Sequence, residues 1–223
     1  MKKLIFIASA LCLSAFAQAQ QPQLTNAVDS VSYAIGVDFG TGITEGLKQM
    51  PGKPLNLELI INAFSNVLRG NEPIIPRDSA SAFVQTYYMR TIREQNEGEG
   101  LAFLAKNKTE TGVITLPSGL QYLILTKGTG AIPTAESQVK VNYEGFLLDG
   151  TKFDSSIDRG EPATFGVNQV IPGWTEALQL MPVGSKWKLF IPYDLAYGAQ
   201  GAGQFIPPYS TLIFEVELLD IVK

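Results

Sequence analysis

The chain has no histidine and a single cysteine, and only 17% of its 223 residues are charged. Without histidine there is no Ser-His-Asp triad, no imidazole-ligated zinc and no imidazole proton shuttle. The one thiol, Cys12, lies in the opening stretch "MKKLIFIASALCLSAFAQAQ". There Lys2 and Lys3 form a basic start, Leu4 to Phe16 an apolar run, and Ala17-Gln18-Ala19 a small-residue cleavage site. This is the pattern of a secretory leader cut after Ala19. A permanent anchor is the alternative, although the run is short for a bilayer span. Cys12 could instead accept a lipid, but Ser9 stands where such a signal wants Leu. Removing the leader takes away the only thiol, which excludes disulfides and thiolate nucleophiles from the mature chain. What remains is chemistry without covalent intermediates, bound metal or cofactor.

Charge narrows the partners. The full sequence has 17 basic and 21 acidic residues, a net of −4, and the leader would remove two of the basic ones. An acidic chain without a basic run disfavours nucleic acid as a partner. A hydrophobic content of 45% argues for a folded chain.

Two regions follow the leader. From about Asn26 to Lys108 the apolar residues recur at helical spacing. Val28, Val31, Ile35 and Phe39 share one face of a first helix. In "NLELIINAFSNVLRG" Asn56 is the N-cap, Leu57, Ile60, Ile61, Phe64 and Leu68 line one side, and Gly70 ends the helix. Pro73 and Pro76 keep the next connector non-helical. A third helix runs from near Asp78 to Asn107, with Phe83, Val84, Tyr87, Tyr88 and Ile92 as its stripe. At about 30 residues it would be roughly 45 Å long. Its middle, "REQNEGEG", is polar, and Gly98 and Gly100 weaken it there. The expectation is an all-helical N-terminal domain, residues 20–111, ending in a solvated linker helix. Three such helices bury too little to stand comfortably alone, so pairing with a second copy is expected. Packing of the stripes on the rest of the chain is the alternative.

From about Leu116 the period switches to two. "VKVNYEGF" puts Val139, Val141 and Tyr143 on one face. "KWKLFIP" sets Trp187, Leu189 and Ile191 against Lys186, Lys188 and Phe190. "TLIFEVELL" aligns Leu212, Phe214, Val216 and Leu218. Asp149-Gly150 is a hairpin turn signal. One helical segment, "NQVIPGWTEALQLM", interrupts the strands. The reading is α+β: an antiparallel sheet wrapped on one short helix over residues 112–223. "GAQGAG" superficially matches a dinucleotide fingerprint, but Pro207-Pro208 and a strand follow it instead of a helix. Taken alone, Trp174 could plug the core or floor a pocket with equal ease, and the aromatic residues around it read as ordinary core.

Four stretches carry a resemblance: "VNYEGFLLDGTKFDSSIDRGEPATF", "VIPGWTEALQLMPVGSKWKLFIP", "AYGAQGAG" and "IPPYSTLIFEVELL". In order, and over nearly all of residues 118–222, they resemble the signatures of the FKBP peptidyl-prolyl isomerases. "VSYAIGVDFG" and "AFLAKNKTETGVITLPSGLQY" are similar, more loosely, to the bacterial Mip-like branch, which dimerises through N-terminal helices. The resemblance implies a half-barrel sheet curled on the helix, with a pocket that takes proline-containing extended chains. Trp174 would be its floor, and Tyr143, Phe153, Val170, Ile171, Phe205, Ile206 and Phe214 its walls. The Tyr197 hydroxyl and the Ile171 N–H would donate to substrate carbonyls. Asp154 would sit at the edge, held by Tyr143 and Arg159; otherwise Asp154 and Arg159 are an exposed pair of little worth. Ala163 stands where many family members carry an aromatic and Ala202 where a larger side chain often sits; losing aromatic burial removes about 1–3 kcal/mol of contact. A more open pocket and weaker binding of macrolide inhibitors follow. With the leader pattern, the resemblance leads to the expectation of an exported, periplasmic, dimeric isomerase, with outer-membrane association or secretion left open. A chaperone using the same pocket and arms, or a structural dimer docking one fixed partner, are the alternatives.

Overall fold

The computed structural model describes residues 22–222, so the leader lies outside the described residues. These form two compact units divided after Gln49, with α1 in the first and all later elements in the second.

The first unit is one helix, α1 (Ala27–Lys48). Asn26 caps it: the side chain accepts from the Asp29 N–H, and Asp29 sits where the helix dipole favours an acid. None of its residues is buried.

The second unit opens with α2 (Leu57–Leu68) and α3 (Arg77–Asn107). The α2 caps follow the sequence reading. Asn56 accepts from the Leu59 N–H, and Gly70, at φ 77°, closes the far end in the left-handed conformation that glycine favours. α3 begins directly after Pro76 and runs unbroken for 31 residues.

The described residues then form a seven-stranded antiparallel sheet. Its strands are β1 (Val113–Thr115), β2 (Gln121–Thr126), β3 (Gln138–Phe146), β4 (Lys152–Ser155), β5 (Ala163–Gly166), β6 (Lys186–Ile191) and β7 (Leu212–Val222). They lie in the order β1-β2-β6-β7-β3-β4, with β5 also paired to β3. The short helix α4 (Pro172–Leu178) lies against the concave face. Val139 and Val141 of β3, Leu189 of β6 and Val216 and Leu218 of β7 are fully buried with Ala177 of α4. The period-two faces thus meet the helix in one core, as the alternation predicts, and the half-barrel form is the one the family resemblance implies.

Two expectations need correction, and one element explains both. The polar middle of α3 is not solvated all round: Glu94, Gln95, Gly98 and Glu99 are exposed, but the face with Asn96, Glu97 and Gly100 docks on the sheet domain. Gly100 is buried so closely on the sheet domain that a Cβ there would collide with Thr211 Oγ1 and lie 3.2 Å from Thr211 Cβ. Asn96 Nδ2 donates to the Pro208 carbonyl (2.8 Å) and Tyr193 donates to Glu97 (3.1 Å). Farther along, Asn107 donates to Gln121 (2.8 Å), and Gln121 returns a bond to the Leu104 carbonyl (2.9 Å). In its middle turns this docking is polar, so no apolar stripe announced it there, whereas Phe103 and the buried Leu104 add apolar contact farther along. It also buries Phe190, whose place beside Lys186 and Lys188 implied exposure. Phe103 of α3 covers it at 5.8 Å between ring centroids.

Candidate functional site

The segment "VIPGW" turns the chain from a loop into α4 and fixes the centre of the site. Pro172 occupies the first turn, where its missing N–H costs nothing. Thr175 Oγ1 donates to the Val167 carbonyl (2.7 Å), tying the helix to the turn before it. Trp174 therefore projects into the concave face of the sheet and is only 4% exposed.

Three rings stand edge-on to the indole: Tyr143 at 5.2 Å and 89°, Phe214 at 5.3 Å and 81°, and Phe165 at 5.9 Å and 89°. Such edge-to-face pairs suit the aromatic quadrupoles. Phe153 meets Phe214 edge-on at 5.5 Å. Gly145 permits that contact, since a Cβ there would stand 2.7 Å from both rings. Together with Asp154, Gln169, Val170, Ile171 and Tyr197 these rings bound a cavity of about 380 Å³. That is a size usual for small-molecule sites.

Polar groups gather on one side. Tyr143 Oη donates to Asp154 Oδ2 (2.5 Å), Arg159 Nη1 donates to Asp154 Oδ1, and Arg159 Nη2 donates to Tyr143 Oη (2.9 Å). The Ser155 N–H adds a fourth bond, to Asp154 Oδ1 (2.8 Å). Burial works against the Asp154 carboxylate, but these hydrogen bonds outweigh it and hold the carboxyl below its ordinary 3.8. Tyr143 is pushed upward by burial and then by its bond to Asp154, and Arg159 upward by Tyr143 and Asp154. At neutral pH the carboxylate and the guanidinium are both charged. Burial, and secondarily the Asp154 charge, also raises Tyr197, so its hydroxyl keeps its proton. Among the described residues, nothing accepts from the Tyr197 hydroxyl or from the Ile171 N–H.

The sequence-derived set is thus mostly brought together. Tyr143, Phe153, Asp154, Val170, Ile171, Trp174, Tyr197 and Phe214 line one cavity, and Arg159 reaches it through Asp154 and Tyr143. Phe205 and Ile206 are not among the lining residues. Phe205 is 70% exposed, and Ile206 is buried in the core, bridged to Ala202. Sequence reasoning missed Phe165 and Gln169. The signal was present for Phe165: it sits two residues beyond Ala163 on β5, on the same strand face, and supplies a ring beside Trp174.

The buried Nε1 atoms of Trp174 and Trp187 both lack a partner among the described residues. Trp187 stacks on Tyr122 at 4.2 Å and 9° and does not line this cavity. An orphan indole N–H is therefore not itself the mark of the site.

Comparison with known proteins identifies the class. A family profile described as "FKBP-type peptidyl-prolyl cis-trans isomerase" matches residues 130–219, and one described as "Domain amino terminal to FKBP-type peptidyl-prolyl isomerase" matches residues 28–124. The chain is 46% identical over 198 residues to the FKBP-type 22 kDa peptidyl-prolyl cis-trans isomerase of Escherichia coli, covering 86% of this chain and 94% of that protein. It is 41% identical to the outer membrane protein MIP of Legionella longbeachae, covering 94% and 92%. The crystal structure of FkpA from Escherichia coli superposes with a TM-score of 0.71 at 34% identity, covering 89% of this chain and 98% of that one. A half-barrel with this cavity and these relatives is an enzyme that isomerises the peptide bond before proline. The chain belongs to the FKBP family, in the Mip-like bacterial branch that carries an N-terminal helical region.

Proposed function

We propose that the Trp174 cavity is the catalytic site and that it works by desolvation and fixed hydrogen bonds. An Xaa-Pro bond resists rotation by about 18–20 kcal/mol because rotation breaks amide resonance. Water favours the planar, charge-separated amide. The edge-on packing of Tyr143, Phe165 and Phe214 around Trp174 supports an apolar seat for the proline ring, out of water. This packing is the observation that carries the reading. The unused Tyr197 hydroxyl and Ile171 N–H can donate to carbonyls that come into reach only when the bond twists, and such differential contacts lower a barrier. Asp154, kept ionised by Tyr143 and Arg159, fixes the electrostatics of the edge. A barrier lowered by roughly 5–7 kcal/mol gives about 10⁴–10⁵-fold acceleration with no nucleophile, base or metal. Exchange spectroscopy on a short Xaa-Pro peptide tests the assignment. Tyr197→Phe and Asp154→Ala should each lower the catalysed rate; unchanged rates in both would remove these residues from the site.

The enzyme acts on proline-containing polypeptides, and we infer that it does so as an exported homodimer assisting the folding of exported proteins. The leader pattern supports export, and periplasm, outer-membrane association or secretion all accord with it. Among the described residues no helix is long and apolar enough to cross a membrane. Uncovered apolar side chains support the dimer: Val28 is 70% exposed, Phe39 57%, Leu59 67% and Phe83 65%. Within α1, Val28 and Phe39 belong to one helical stripe, and an exposed apolar stripe is the kind of surface that marks association. We keep the functional division at residues 1–19, 20–111 and 112–223, with the last turns of α3 also covering the isomerase. Phe165 supplies a ring to the cavity wall, whereas the short side chains of Ala163 and Ala202 are not among its lining residues, so macrolide inhibitors should bind, but weakly. The same exposed helices favour a second reading, a holdase that grips extended chains. It predicts aggregation suppression that survives Asp154→Ala intact.

A further inference from the structure

The chain between Tyr193 and Tyr209 brings Tyr197 to the cavity, yet it has little regular structure of its own. It holds two short 3-10 turns, Tyr193–Leu195 and Gly198–Gln200, and one isolated bridge between Ala202 and Ile206. Gly198, Gly201 and Gly203 all have positive φ. Since no group in the described chain accepts from the Tyr197 hydroxyl, the place of that ring depends on how the backbone is held.

One turn of α3 holds both ends. At the near end, Glu97 accepts from the Tyr193 hydroxyl (3.1 Å) and from Arg93 Nε (2.8 Å). At the far end, Asn96 donates to the Pro208 carbonyl (2.8 Å), and the Arg93 guanidinium lies 5.5 Å from the Tyr209 ring centre. The Tyr193 and Tyr209 rings meet at 5.3 Å and 65°, which closes the ring of contacts. Spacing of three and four residues puts Arg93, Asn96 and Glu97 on one helix face.

Tyr209 connects this clamp to the site. Its φ is 60°, and among the described residues it alone has positive φ without being glycine. Backbone in that region persists only where the surroundings over-determine it. Its N–H donates to the carbonyl of Gly198 (3.0 Å), the residue immediately after Tyr197. We propose that Arg93, Asn96, Glu97 and Tyr209 are positioning residues for Tyr197: α3 holds the Tyr209 backbone in its left-handed turn, and that turn fixes the loop presenting the hydroxyl to the substrate. This rests on the reading of Tyr197 as a substrate donor. The polar middle of α3, which sequence alone suggested was solvated spacer, then becomes part of the enzyme.

The test uses the full chain and an Arg93→Ala/Asn96→Ala double variant, assayed on an Xaa-Pro tetrapeptide with and without Tyr197→Phe. With Tyr197 present, kcat should fall about ten-fold, the scale of a small displacement at a catalytic group, while KM stays within about two-fold. In the Tyr197→Phe background the same double change should cost less than about two-fold, because the group it positions is gone. Tyr209→Gly, which relieves the backbone while removing the clamped ring, should reproduce the pattern. In parallel, the fluorine resonance of 3-fluorotyrosine at position 197 should shift or broaden in the double variant, and that at position 143 should not. Equal losses in both backgrounds, no loss, or an unmoved resonance at 197 would overturn the proposal. Tyr197→Phe alone retaining wild-type activity would instead break the substrate-donor reading, while the fluorine resonance still decides whether α3 positions the ring.

Discussion

Val31, Ile35 and Phe39 on α1 are about half exposed, at 54%, 52% and 57%, whereas Val139, Val141 and Tyr143 on β3 are buried, although both sets recur with equal regularity. Periodicity tells which residues share a face; it does not tell what covers the face. In the sheet region the cover comes from the same chain, through α4 and the neighbouring strands. In the helical region no residue of α1 or α2 is buried, and under the proposed dimer a second copy would supply the cover. The two regions therefore answer differently to substitution.

Trp174→Ala should have the largest effect. It removes a buried side chain and the cavity floor, costing about 3–5 kcal/mol of stability in chemical denaturation and nearly all isomerase activity in the peptide assay. Phe39→Asp on α1 should do the reverse. Protomer stability stays within about 0.5 kcal/mol, and turnover of a short peptide is preserved. Sedimentation velocity should show the proposed dimer falling to monomer, and catalysed refolding of a proline-limited client should drop by about ten-fold or more as linked binding is lost. A protomer that unfolds on Phe39→Asp would place the stripe in a private core instead.

Two glycines of α3 sharpen the comparison at one point. Gly98 has open space around its Cα, so Gly98→Ala should stabilise by about 0.5–1 kcal/mol through helix propensity. Gly100 faces Thr211 at closest approach, so Gly100→Ala should destabilise by about 1–3 kcal/mol. Thermal melts of the two variants should move in opposite directions. Two stabilising shifts would mean that the polar stretch is solvated after all.

The smallest effect is in pH. Because the Asp154 carboxyl is held below 3.8 in the folded chain, its contribution is complete above the ordinary carboxylate pKa and is lost as pH falls through the lowered value. With no histidine to titrate, kcat/KM should be flat from about pH 5 to pH 8 and fall only below about pH 4. Asp154→Asn should lower the plateau and erase that acid limb. A step near pH 6.5 would contradict the assignment.

Much of this was legible. Asn56 and Gly70 announced the ends of α2 because capping is local chemistry, and β3, β6 and β7 showed their buried faces because a half-buried sheet alternates. The site residues from Tyr143 to Phe214 were legible only through family resemblance, since aromatic residues in a core and around a pocket look alike in sequence. The docking of α3 was not legible. It depends on Asn96, Glu97, Gly100 and Asn107 meeting groups more than ten residues away, and polar contacts of that kind leave no period. Phe190 shows the cost of missing it, for the helix covers a position that the strand pattern assigned to solvent.

The central claim is that a proline ring seats on Trp174 out of water, and the two tryptophans allow a direct measurement. With both replaced by 5-fluorotryptophan, titration with an Xaa-Pro peptide should move the fluorine resonance of position 174 and leave that of position 187. The peptide's exchange should accelerate with the same concentration dependence. Accelerated exchange with the position 174 resonance unmoved would place the chemistry elsewhere and contradict the account.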